Sequence, residues 1–317
     1  MNAAAEPSHA AKLTLPWFIA SIALVVIVAF GLRMGTHILH KSNQYDERFI
    51  TAPIYDIISQ GWSVRTAIDF KETKGPALIW PYAAIGQVIG GDLNSLRLIS
   101  VGFFIVGVVP VLLIAQLCGL GGVRLLLVAA FYCLLPYNAV LGQLVMSEPT
   151  FVFGSALLVL VFLWGIGGVM GCEHRVAGPI VFAIVLSILL HNRLHATAFA
   201  GAACLVAFER HRWRSWPWWL ACLLAGLSRL PLWIRWGGPV HPDYSMMHSM
   251  GARLDSLTYI AAAFVPFTIL FLWPGLFGDT HRRSRMFVGA GALIGLGLAV
   301  IAPPSLNERI TVAPDGV

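Results

Sequence analysis

Apolar runs of roughly fifteen to twenty residues recur from one end of this chain to the other, and no other feature limits its fold so severely. A helix that crosses the hydrocarbon core of a bilayer, about 30 Å thick, needs about 20 mostly apolar residues. Only a helix or a closed barrel pairs its own backbone groups where water is absent. Runs that meet or approach this requirement cover 15–32, 98–117, 125–141, 151–169, 176–190, 194–208, 216–233, 257–273 and 287–301. The expectation is an all-α, polytopic transmembrane helix bundle of about nine spans, forming a single integral membrane domain over 1–317. With 58% hydrophobic and only 11% charged residues, the chain lies far from soluble composition. The first run is too long for the apolar part of a cleavable signal and has no small-x-small site behind it, so it is expected to stay as an anchor. Cys118, Cys133, Cys172, Cys204 and Cys222 all sit in or beside apolar runs without metal-ligand spacing and read as packing residues.

The net charge of +6 is spread over short loops, which points to lipid orientation and not to nucleic acid. The run 76–90 decides the topology. As a helix it reaches about 22 Å, short of the core, and it carries two prolines and two glycines. If it does not span, Lys12, Arg124, Arg175 and the arginine clusters at 210–214 and 282–285 all fall on the cytoplasmic side, as the positive-inside bias requires. The run therefore reads as a re-entrant or surface-lying helix. The N-terminus, 1–14, is then a cytoplasmic tail, 33–97 a periplasmic juxtamembrane segment and 235–256 a periplasmic loop. An amphipathic helix is expected after Thr51, with Ile54, Ile57 and Ile58 on one face, Pro53 in its first turn and the helix lying in the interface.

This topology gathers the chemistry-bearing residues on one face. Asp46-Glu47 follow the first span, where a carboxylate can take the proton from an attacking hydroxyl or hold a divalent cation. Lys74, before Gly75-Pro76, suits a lipid-linked phosphate at the membrane surface, although a lysine there also snorkels without a ligand. Glu148, between Ser147 and Pro149, opens a span; it can serve as a helix-terminal acid or carry function. His191, Arg193 and His195 interrupt an apolar hairpin and suit an anion, with Arg193 as the fork, or simply form a polar tip. The 235–256 loop holds a Gly237-Gly238 hinge with His241, Asp243 and Tyr244 behind it as substrate-loop residues. A zinc set of His241, Asp243 and His248 has irregular spacing that argues against it. Arg229 is the main ionisable residue away from this face.

In order and spacing these residues resemble the GT-C superfamily of membrane glycosyltransferases. The nearest likeness is to the group of dolichyl-phosphate-mannose–protein mannosyltransferases, lipid A aminoarabinose transferases and lipopolysaccharide-core galacturonosyltransferases. The resemblance covers roughly 15–210 and rests on Asp46-Glu47, Gly61-Trp62, Lys74-Gly75-Pro76, Leu96-Arg97-Leu98 and Ser147-Glu148-Pro149. It departs at Phe49, where the group carries Tyr, and at Thr73, where some relatives place a metal-binding Glu. The resemblance implies inverting transfer from a polyprenyl-phosphate sugar donor to a lipid, polysaccharide or protein acceptor, on the periplasmic face of a bacterial inner membrane. Asp46 would be the base, with Lys74 and Arg193 on the donor phosphate. The alternative is a non-enzymatic membrane protein, such as a lipid-linked-sugar transporter or assembly partner, or an inactive or truncated paralogue. A transporter would gather its ionisable groups near the midplane of broken helices.

Overall fold

The computed structural model describes residues 15–35, 41–44, 47–70, 74–134, 136–166 and 176–238. All of them fall within the unit Met1–Pro242, and among them every regular element is helical. The stretches 257–273 and 287–301, expected as the last two spans, lie outside the described residues. In chain order the helices are α1 (Leu15–Gly35), α2 (Glu47–Gln60), α3 (Val64–Ala67), α4 (Pro76–Ile89), α5 (Leu93–Leu117) and α6 (Val123–Leu134). They continue as α7 (Pro136–Leu141), α8 (Ser147–Ile166), α9 (Ala177–Asn192), α10 (Thr197–His211), α11 (Trp216–Leu227) and α12 (Leu230–Trp236).

Helices α1, α5 and α8 are each long and apolar enough to cross a membrane, and the run Leu194–Trp236 is the fourth such candidate. That run is a hairpin and not a rod: it turns at Arg212–Ser215, and Cys204 of α10 lies 3.5 Å from Cys222 of α11, sulfur to sulfur. Prolines account for the other interruptions. Pro136 has no N–H for the carbonyl of Tyr132, and the side chain of Asn138 donates to that oxygen instead, at 3.0 Å. Pro231 likewise cannot continue α11, so α12 begins afresh at Leu230.

Three apolar cores hold the unit together. One joins α1, α5 and α6 around Val25, Phe104, Val108 and Leu125; a second joins α8, α9, α10 and α11 around Leu158, Phe182, Leu186 and Trp218. The third packs Ile50, Ile54 and Ile57 of α2 on Leu78, Ile79 and Tyr82 of α4 and on Leu96 of α5. The apolar stripe of α2 is therefore covered by protein. The helix also starts at Glu47, earlier than its periodicity indicated, which puts Pro53 in its interior.

Contacts at the helix ends define two ends of the packet. Arg33, near the end of α1, donates to the carbonyl of Asn94 at the start of α5, at 3.3 Å. Glu148, at the start of α8, meets Arg193 just beyond α9. Both ends of α4 belong to this near end, because Gly75 N–H donates to Asn192 O at 3.3 Å while Gly90 leads directly into α5. Helix α4, about 21 Å long, thus lies across the end of the packet and does not traverse it. At the far end α8 and α9 cross through Gly165 and Gly178. A Cβ on Gly178 would fall 2.5 Å from the Cα of Gly165, so only glycine permits this approach.

Candidate functional site

At the near end one carboxylate organises the segment that follows α1. Glu47 is fully buried and accepts from four donors: Arg97 Nε at 2.9 Å, Arg97 Nη2 at 2.6 Å, and the backbone N–H groups of Gln44 and Val145, both at 2.9 Å. Arg97, also at 0% exposure, donates further to the carbonyls of Lys41 (2.8 Å) and Ser42 (2.9 Å). Arg97 of α5 so fastens residues 41–44 and Glu47 and, through the Glu47 bond from Val145, the entrance to α8. A carboxylate with four donors and no water contact is a fixed strut, poorly suited to collect a substrate proton. Tyr55, further along α2, has its phenol pushed above the usual range, first by burial and then by the carboxylates of Asp92 and Glu47, and stays neutral.

The next links run towards α9. The Tyr82 hydroxyl lies 2.8 Å from Ser100 Oγ and donates to Met146 O at 3.3 Å, directly before the Ser147-Glu148-Pro149 step. Ser147 Oγ donates to Glu148 Oε2 (3.3 Å), and Glu148 Oε1 accepts from Arg193 Nη2 at 2.5 Å. Thr150 Oγ1 accepts from Asn192 Nδ2 at 2.8 Å, so two stretches some forty residues apart dock through an ion pair and a hydrogen bond. The backbone of Gly75 presses onto α9 so closely that a Cβ there would lie 1.9 Å from His191 O. Lys74, one residue earlier, is thereby set beside the end of α9.

Beside this network lies a cavity of about 740 Å³, within the range of small-molecule sites. One face of α4 (Pro76, Ala77, Trp80, Pro81, Ala84) forms one wall; Ser187, Ile188 and His191 of α9 face it with Ser228, Pro231, Leu232 and Arg235. The segment Trp62–Asp69 closes one side. It is held by Trp80 Nε1 to Ala67 O (2.9 Å), Trp236 Nε1 to Ile68 O (3.2 Å) and Arg235 to Asp69 at 2.8 and 2.5 Å. The lining is almost wholly apolar, with His191, Ser187, Ser228 and Arg235 as its polar points. His191 Nε2 lies 3.2 Å from Ser228 O, and its Nδ1 has no partner among the described residues. Next to Ser228, Arg229 is 1% exposed; its Nη1 donates to Leu190 O, while Nε and Nη2 have no partner among the described residues.

The structure thus brings Glu47, Lys74, Glu148, His191 and Arg193 to one end of the packet. His195 is exposed in the short turn Leu194–Ala196, away from the Ser228 contact of His191. Asp46, His241, Asp243, Tyr244 and His248 lie outside the described residues. Among the described residues no group of three or more His, Cys, Asp or Glu side chains could hold a metal ion. Sequence reasoning left Arg97, Asn192 and Arg229 without roles. The signal for the two arginines was their type, a guanidinium set within apolar sequence, which is costly unless it is used. Compared with known proteins, the chain matches no family model, no curated protein and no solved structure.

Proposed function

We propose that this chain is a membrane glycosyltransferase that moves a sugar from a polyprenyl-phosphate donor to a hydroxyl of a lipid, glycan or protein acceptor. The observation that carries the reading is the apolar cavity of about 740 Å³, lined by His191, Ser228 and Pro76, which adjoins the acidic network at one end of the packet. A polyprenyl chain needs an apolar channel, and its phosphate needs charge-assisted donors where the channel meets polar groups. His191 lines the cavity, and Arg229, Lys74 and Arg193 each lie one or two residues from a lining residue, with His195 further along the same turn. Arg193 already shares charge with Glu148, so Glu148 serves to aim it. Arg229 brings two unpaired nitrogens and is the strongest anion ligand of the set.

In this reading Asp46 is the base. It is the residue directly before Glu47, so the Arg97 clamp holds the chain within one residue of it. The acceptor hydroxyl passes its proton to Asp46 as its oxygen attacks the anomeric carbon from the side opposite the phosphate. The C–O bond to phosphate breaks, the lipid phosphate leaves with the electron pair, and the sugar configuration inverts. Phosphate is a stable anion at neutral pH and needs no acid of its own. About nine spans, a cytoplasmic N-terminus and a periplasmic near end complete the reading.

The test uses the purified full chain, a panel of radiolabelled polyprenyl-phosphate sugars, and lipid and glycan acceptors. Asp46→Asn should lower turnover by about 10²–10⁴ with donor binding intact. Wild-type turnover in that variant would remove Asp46 as the base. Failure of the wild type to bind any donor in the panel would remove the lipid-phosphate reading of the cavity.

A further inference from the structure

The far end of the packet carries a second feature, unrelated to sugar transfer. Helix α10 starts beside Arg193 and runs about 22 Å to His211. The chain reverses through Arg212–Ser215, and α11 returns alongside. Residues 209–214 read Glu-Arg-His-Arg-Trp-Arg, three arginines and a histidine against one carboxylate. Elsewhere in the unit Arg97, Arg193 and Arg235 are each paired with a carboxylate. The guanidinium groups of Arg210, Arg212 and Arg214 have no such partner among the described residues and point into the surroundings as exposed cations.

The turn also leaves its indoles outside. Trp213 is 86% exposed, Trp216 63% and Trp219 49%. Three indoles on a polar surface would be a liability, but at the headgroup level of a bilayer their amphipathic rings are at home. Further along the hairpin, away from the turn, the exposed large side chains are aliphatic and include Leu205, Val206, Leu223 and Leu227. From hairpin body to tip the exposed surface therefore runs aliphatic, aromatic, cationic, the order of hydrocarbon, interface and phosphate in one leaflet.

The backbone supplies the deciding detail. Arg212 has φ 52° and ψ −129°, the sole non-glycine residue at positive φ among those described. Glycine takes this conformation freely, whereas a side chain there is strained. The turn is fastened around it by Ser215 Oγ donating to Arg212 O (2.6 Å) and Trp219 Nε1 donating to Ser215 Oγ (3.3 Å). Strain accepted at an exposed arginine whose side chain has no carboxylate partner among the described residues fits a residue kept for what its charge meets.

We infer that the turn Arg210–Trp216 is a binding site for the headgroup of an anionic glycerophospholipid, in the leaflet at the end opposite the candidate active site. The three guanidinium groups take the phosphate, and Trp213 and Trp216 seat beside the glycerol backbone. Each arginine near an anionic surface contributes about fivefold in affinity.

The full chain is reconstituted in phosphatidylcholine vesicles containing a rising fraction of dibrominated phosphatidylglycerol, with dibrominated phosphatidylcholine as the control, and tryptophan quenching is followed. Quenching by phosphatidylglycerol should saturate at a mole fraction about tenfold or more below that for phosphatidylcholine. Arg210→Gln/Arg212→Gly/Arg214→Gln should bring the two curves together, and Trp213→Phe/Trp216→Phe should remove the selective component. Arg212→Gly alone should weaken the preference by about fivefold while melting no lower than wild type, because glycine relieves the backbone. Superimposed curves in the wild type overturn the proposal. So does selectivity that survives either multiple variant. A lowered melting temperature in Arg212→Gly without lost selectivity would make Arg212 structural and overturn its assignment.

Discussion

Arg97 and Arg229 are both withdrawn from solvent near the same end of the helix packet, at 0% and 1% exposure, yet only one is satisfied. Arg97 meets both oxygens of Glu47 and two backbone carbonyls. Arg229 reaches the carbonyl of Leu190 and leaves Nε and Nη2 unpaired among the described residues. A buried guanidinium with every donor used is scaffold, because its desolvation is offset within the protein. One with donors to spare would lower its free energy by meeting an anion, and in the proposed function that anion is the donor phosphate. The difference teaches that burial of a charge does not by itself mark structure or function; the unmet hydrogen bonds do.

The sharpest way to break this contrast is to remove the satisfied arginine. Arg97→Met leaves Glu47 buried with no countercharge and should cost about 3–5 kcal/mol in unfolding from detergent micelles. Glu47→Gln in the same chain should recover part of that loss. A variant that unfolds like wild type would mean the clamp holds nothing. The middle-sized effect concerns the unsatisfied arginine, where the expected sign is different. Arg229→Met should leave stability unchanged or slightly higher, since an unpaired charge is exchanged for an apolar chain. Donor affinity should fall roughly ten- to a hundredfold for the lost charge-assisted contacts. Lower stability with unaltered donor affinity would make Arg229 a second scaffold arginine and collapse the comparison. The smallest effect is set by a third, exposed arginine. Arg235 holds Asp69 bidentately, but water competes for both groups. Asp69→Asn should leave the melting temperature in place at 0.15 M salt, and a large drop would show that this pair behaves like the buried one.

Much of the architecture was legible in advance. Helices α1, α5 and α8 follow from apolar length, and the shortness of α4 followed from the bounds of its apolar run. The five-residue shift in the start of α2 was not legible. Periodicity located the stripe Ile50, Ile54, Ile57 but not the anchor that extends the helix back to Glu47, because that anchor is Arg97, fifty residues away. For the same reason Asp46-Glu47 read as a candidate base or cation site after the first span, whereas Glu47 is the most enclosed acid among the described residues. Likewise Glu148 and Arg193 were separate candidates in the sequence, and they meet only because α8 and α9 pack as antiparallel neighbours.

What the sequence determined by itself is the medium and the element type: apolar runs too long and too numerous for water, each of which must pair its own backbone and so be helical. It also determined where charge is scarce, and so which charged residues need an explanation. What only the tertiary structure decided is which of those charges are answered. The partners that join Glu47 to Arg97 and Val145, and Glu148 to Arg193, lie within about 3 Å in space but 45 to 98 residues apart along the chain. Local pattern carries no information at that range; the crossing of α8 and α9 through Gly165 and Gly178, and the seat of Gly75 on His191, do.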